Sequence, residues 1–83
     1  MDRQEIFSKF SNTFLDVLDL DHYDLTDATT AHDVAEWDSL SHIRLIVAVE
    51  REFGVKFANA EIESFKCVGD LIDAVANKLG QRR

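Results

Sequence analysis

The 83 residues, 46% of them hydrophobic, suffice for one small domain (1–83) with a modest core. The formal net charge of −7, from 9 basic and 16 acidic residues, argues against nucleic acid and anionic membrane as partners and for proteins with basic docking patches. One Cys excludes an intramolecular disulfide and a Cys-based zinc site, and no apolar run is long enough to span a membrane.

Absence of Pro, scarcity of Gly and a content of 6 Phe suit an all-α domain that folds rather than stays disordered. The opening Met1-Asp2-Arg3-Gln4-Glu5 is polar and acidic, unlike a signal peptide, so the expected location is the cytoplasm. Arg3 to about Leu18 reads as the first helix. Ile6, Phe10, Phe14 and Val17 recur at helical steps, Phe7 and Leu18 widen the stripe, and Lys9, Asn12 and Asp16 fall on other faces.

Asp19 to about Trp37 follows as a long acidic loop carrying Asp19, Asp21, Asp24, Asp27 and Asp33. An EF-hand would need Gly and Glu at its sixth and twelfth positions; counted from Asp19 these are Asp24 and Thr30, so no metal site is expected. Tyr23, Leu25, Ala28 and Val34 are expected to pin the loop to the core. A loop this long in a small domain is often functional, and its expected duty is to bring Ser39 to the surface.

Asp38 and Ser39 both suit a helix N-terminus, where short side-chain oxygens accept from free backbone N–H groups. The same N–H groups and the helix dipole favour a phosphate. If Asp38 is the cap, Ser39 is the first helical residue and its hydroxyl is free; if Ser39 is the cap, that oxygen is partly occupied. Along the helix that follows, at about 100° per residue, Leu45, Ile46, Val49 and Phe53 form one stripe and read as core. Leu40, Ile43 and Val47 form another, which either widens the core face or meets a partner.

Gly54 is a natural stop for that helix, and Asn59 offers a cap for a short helix from Ala60 to about Phe65. Val68 to about Leu79 forms the last helix, with Val68, Leu71, Ile72, Val75, Ala76 and Leu79 as its stripe and Gly80 as a stop. Cys67, just before it, reads as a small buried apolar group. Lys78, Arg82 and Arg83 place positive charge near its C-terminus. His22, His32 and His42 fit no common metal motif and read as surface groups. His42 follows Ser39 at helical spacing, but the pair lacks an orienting third group and an oxyanion hole, so no catalytic residue is assigned and the chain is not read as an enzyme.

Asp38-Ser39-Leu40 at the centre of the chain, followed by an apolar helix ending Val49-Glu50-Arg51-Glu52-Phe53-Gly54-Val55, resembles the acyl carrier protein family. The resemblance covers nearly the whole chain. It implies a small four-helix bundle, three main helices and one short, with the long loop between the first and second. It implies that Ser39 carries 4'-phosphopantetheine, framed by Asp38 and Leu40, and that a phosphopantetheinyl transferase attaches it. Acyl groups would then ride on the arm as thioesters to acyl-transfer, ligase or synthase enzymes of fatty-acid, polyketide or specialised lipid synthesis. Partner docking falls to Glu36, Ile43, Arg44, Val47 and Glu50, and the acyl pocket to Leu45, Ile46, Ile62 and Phe65; the protein is expected to be a monomer.

Two departures stand out against that family, and a third feature separates the chain from peptidyl carriers. Ser41, His42 and Arg44 stand where fatty-acid carriers tend to have carboxylates or neutral residues, and Arg44 would disfavour a basic partner patch. Phe57-Ala58 stands where Ile-Pro is common. Glu36-Trp37-Asp38 replaces the Gly-Gly usual in peptidyl carriers, which favours the acyl over the aminoacyl or peptidyl reading. An unmodified helical adaptor that uses Leu40, Ile43 and Val47 is the alternative from outside the carrier class.

Overall fold

The computed structural model describes residues 2–80. Four helices follow in order: α1 (Arg3–Leu18), α2 (Ser39–Phe53), α3 (Asn59–Ser64) and α4 (Val68–Gly80). Among the described residues no strand forms. Arg82 and Arg83, read above as complements to the last helix dipole, lie outside the described residues.

α1 starts on Asp2, whose carboxylate accepts the Glu5 N–H at 2.8 Å. It ends on Asp19, a non-glycine residue in the left-handed region (φ 56°), where the Asp19 and Leu20 N–H groups close on the Asp16 and Leu15 carbonyls. Ile6, Phe10, Phe14 and Leu18 are buried, while Val17 is only half-buried. α1 packs against both α2 and α4. Leu45, Ile46, Val49 and Phe53 of α2 and Val68, Leu71, Ile72 and Val75 of α4 complete one continuous core.

Loop 19–38 covers this core through part of the expected set, with Trp37 added. Val34 and Trp37 are buried and Leu25 is partly so, but Ala28 is exposed and Tyr23 stays at the surface. Tyr23 touches the Phe14 ring and donates its hydroxyl to the Asp33 carbonyl at 3.2 Å. Thr29 adds a polar tie. Its buried hydroxyl accepts the Thr26 N–H at 3.0 Å. Its carbonyl accepts the Val68 N–H at 2.9 Å, and the Asp27 carbonyl accepts the Gly69 N–H at 2.9 Å. Two of the free N–H groups that open α4 are thus satisfied by the loop backbone rather than by a side-chain cap. Gly69 permits this: a Cβ there would sit 3.1 Å from the Asp27 carbonyl oxygen and 3.2 Å from its Cβ. Arg3 adds an exposed fork to Asp27 (2.9 Å) and Asp73 (3.0 Å) that ties α1, loop and α4 together at the surface.

α2 stops at Gly54, in the left-handed region at φ 67°, with the Gly54 and Val55 N–H groups on the Glu50 carbonyl. α3 departs from the expected start. Asn59 is its first helical residue and Ala58 the cap; the Ala58 N–H donates to the Glu61 carboxylate at 2.8 Å. Glu61 thereby performs the return half of a capping box without the usual Ser or Thr. Lys78 of α4 pairs with Glu61 at 3.0 Å and lies 5.4 Å from the centre of the Phe57 ring, so the charge expected to serve the α4 dipole instead holds α3 down. α3 ends at Ser64, one residue short of the expected Phe65; Gly80 lies inside α4; and Cys67 is half-buried rather than part of the core.

Candidate functional site

Asp38 leaves the loop in an extended conformation (φ −103°, ψ −171°), and its carboxylate accepts the Ser41 N–H at 2.9 Å. The His42 N–H closes the first turn on the Asp38 carbonyl at 2.8 Å. Of the two cap arrangements the sequence allows, Asp38 is therefore the cap and Ser39 the first helical residue. Ser39 is exposed, and the cap makes no demand on its hydroxyl. The Ser41 N–H, and after it the Ser41 hydroxyl, hold the Asp38 carboxyl below the ordinary aspartate range. The carboxylate stays ionised at neutral pH, at the positive end of the helix dipole.

Trp37, immediately before the cap, is 5% exposed and locks this corner in place. It meets Phe14 edge-on with ring centres 5.3 Å apart, and its other neighbour is His42, at 6.0 Å. Residues just before a cap and at the fourth helical position commonly clasp in this way, as a hydrophobic staple. Here the clasp is also polar: Trp37 Nε1–H donates to His42 Nδ1 at 3.2 Å. With Nδ1 accepting, the proton of the neutral ring sits on Nε2, which lies 3.5 Å from the Ile62 carbonyl oxygen of α3. His42 is thus a half-buried tie between loop, α2 and α3, not the surface group expected, and both its nitrogens are engaged away from Ser39. The base that a serine nucleophile needs is therefore not supplied by His42.

Beside Ser39 opens a concavity of about 410 Å³. Trp37, Ile62 and Phe65 give it apolar surface, while His32, Lys66 and Asp38 give it polar rim. Phe65 is fixed edge-on to Phe57, ring centres 5.4 Å apart. Along α2, Leu40, Ile43 and Val47 are 63%, 60% and 47% exposed. This decides between the two readings of that stripe: it faces outward, not into the core.

The family model described as "Phosphopantetheine attachment site" matches residues 8–75. The chain belongs to the phosphopantetheine-attachment family. It is 36% identical over 78 residues to the acyl carrier protein of Thermotoga maritima, covering 94% of this chain and 96% of that one. It is 35% identical over 68 residues to polyketide-8 synthase acyl carrier protein 2 of Streptomyces avermitilis, covering 82% and 78%. The fold matches the solution structure of the holo acyl carrier protein from Geobacter metallireducens with a TM-score of 0.85 and 43% identity, covering 90% of this chain and 86% of that one. The protein is accordingly an acyl carrier with 4'-phosphopantetheine as its prosthetic group; it is not an enzyme, and its role is to meet acyl-transfer and synthase enzymes. The peptidyl-carrier and unmodified-adaptor alternatives are not favoured.

In this carrier the other assigned residues fall into place unevenly. Asp38, Ser39 and Leu40 share the α2 N-terminus; Glu36, Ile43, Arg44 and Val47 are exposed near it. Glu50 differs from its expected docking role: it is half-buried, and its carboxylate accepts the Phe57 N–H at 2.8 Å, bracing the segment before α3. Of the four pocket candidates, Ile62 and Phe65 line the concavity, but Leu45 and Ile46 are sealed in the core at 0% and 3% exposure. Trp37, Thr29 and Gly69 were missed from sequence. A large apolar residue just before a cap, five positions ahead of the fourth helical residue it can clasp, is the signal that could have found Trp37. Nothing local marks Thr29 or Gly69, whose partners lie far along the chain. Among the described residues no group of three or more His, Cys, Asp or Glu is placed to hold a metal ion.

Proposed function

We propose that Ser39 is the point at which the arm is attached, and that the α2 N-terminus and the concavity beside it receive it. The observation that carries this reading is the Asp38 cap, which seats Ser39 as the first helical residue and leaves its hydroxyl outward. The residues present fit the group. A phosphodiester on Ser39 would meet the helix N-terminus, where backbone N–H groups and the dipole favour negative charge. Lys66 adds positive charge on the concavity rim, and Trp37, Ile62 and Phe65 offer apolar surface. When bound, the arm supplies the terminal thiol that holds an acyl group.

The chain's own contribution is positional. The Asp38 cap sets Ser39 as the first helical residue, and Leu40 follows it on the exposed stripe. Trp37 and His42 keep loop and helix in register. Ile62 and Phe65 are the pocket candidates that an acyl group would meet in the concavity. A phosphopantetheinyl transferase is the enzyme that would load Ser39, and acyl-transfer, ligase or synthase enzymes of fatty-acid or polyketide synthesis would use the loaded form. The chain works as one domain and as a monomer, in the cytoplasm. Its single half-buried Cys, which leaves no disulfide to form within the chain, is consistent with that compartment.

Intact mass after incubation with coenzyme A and a broad-specificity phosphopantetheinyl transferase tests the assignment. The wild type is expected to gain one phosphopantetheine and Ser39→Ala none. A wild type that stays unmodified while a known carrier in the same tube is converted would overturn it.

A further inference from the structure

The exposed apolar stripe of α2 is accompanied by cations on a molecule that is acidic as a whole. Formal net charge is −7, yet the cations nearest the exposed Leu40, Ile43 and Val47 are Arg44 and Arg51, and neither forms an ion pair with a described residue. At about 100° per residue, Arg44 projects between Leu40 and Val47 and the outer side of α2, within two turns of Ser39. Arg51 lies two turns further along, where it shares a shallow groove with Asp16 and Glu52. Asp38 accepts from the Ser41 N–H and Glu50 from the Phe57 N–H, and neither these nor the exposed Glu36 forms an ion pair with Arg44.

Three large apolar side chains, exposed in a row, are a contact surface waiting for a complement. An unpaired guanidinium among them sets the chemistry of that complement. A carboxylate can pair with it in a desolvated contact, whereas a Lys or Arg opposite it is repelled at a cost that grows as water is excluded. Any enzyme acting at Ser39 must come down on this turn of α2. We infer that the partner for this face is an enzyme surface that sets a carboxylate beside an apolar recess, with Leu40, Ile43 and Val47 entering the recess and Arg44 meeting the carboxylate. This rests on the carrier reading and adds to it the identity of the partner's charge, which is the reverse of what the acidic composition of the whole chain suggests.

The test uses one phosphopantetheinyl transferase whose carrier-binding surface is basic, together with a variant of it in which those Lys and Arg residues are changed to Glu. Both act on the full-length wild type, Arg44→Glu and Val47→Asp, with rates read by intact mass and folding checked by circular dichroism. Arg44→Glu should raise kcat/KM with the basic enzyme roughly tenfold and lower it with the acidic variant by a similar factor, chiefly through KM. Both effects should shrink in about 0.5 M salt. Val47→Asp should lower kcat/KM with both enzymes. Equal rates for wild type and Arg44→Glu, or a change of the same sign with both enzymes, would overturn the proposal while modification itself proceeds. If no variant is modified by either enzyme at saturation, the carrier reading fails and the proposal falls with it.

Discussion

Asp38 and Ser39 could each have capped α2, and Asp38 takes that role. Asp38 spends its carboxylate on the Ser41 N–H; Ser39, one residue on, is left with an outward hydroxyl. Replacing Ser39 by Ala should therefore abolish modification yet shift stability by less than about 0.5 kcal/mol, measured by urea unfolding. Replacing Asp38 should do the reverse in part, loosening the first turn and lowering Tm by roughly a few degrees. The native carboxyl of Asp38 titrates below its ordinary value because Ser41 donates to the ionised form. Its stabilisation is thus complete above the unfolded aspartate pKa of about 3.9 and is lost as pH falls through the lower native value. Circular dichroism melts of wild type and Asp38→Asn should converge as the pH drops below about 4. A gap that stays constant from neutral to acid pH would show that the cap does not depend on charge.

At the scale of elements, the loop and α4 are held together by backbone contact that a side chain at residue 69 would crowd. The Val68 and Gly69 N–H groups reach the Thr29 and Asp27 carbonyls because nothing projects from the Gly69 Cα. Gly69→Val would push a branched side chain into Asp27, whose carboxylate also holds Arg3. The expected cost is about 1–3 kcal/mol in urea unfolding, with faster hydrogen exchange at residues 68 and 69. Unchanged exchange would mean the loop yields without loss. α3 is held by a different device. It has six residues, no buried side chain and no side-chain cap, and relies on Glu61, Lys78, the Phe57–Phe65 contact and the His42 reach to Ile62. Such an element belongs at the low end of local stability, which suits the proposed role of the concavity it borders.

For the whole molecule, the margin is narrow. A domain of 83 residues has roughly 4–12 kcal/mol in hand. Phe14 is fully buried, between Phe10 and Trp37, and Phe14→Ala should remove about 3–5 kcal/mol, leaving much of the population unfolded at 37 °C. Val47→Ala, on the exposed stripe, should cost under about 1 kcal/mol. Thermal melts compare the two; similar losses would mean the stripe is part of the core. The four helices, the core stripes of α1, α2 and α4, and the family to which the Asp38-Ser39-Leu40 motif points were legible in the sequence, because they are written in helical periodicity, a cap and one motif. Periodicity could not say whether Leu40, Ile43 and Val47 face inward, nor whether Asp38 or Ser39 caps, since both arrangements satisfy the same local rules. Nor could it show that Glu50 braces Phe57, that His42 ties Trp37 to Ile62, or that Gly69 lets the loop cap α4. Each of those depends on groups brought together from distant parts of the chain, so only the packed bundle, with room for one apolar face per helix, could decide them.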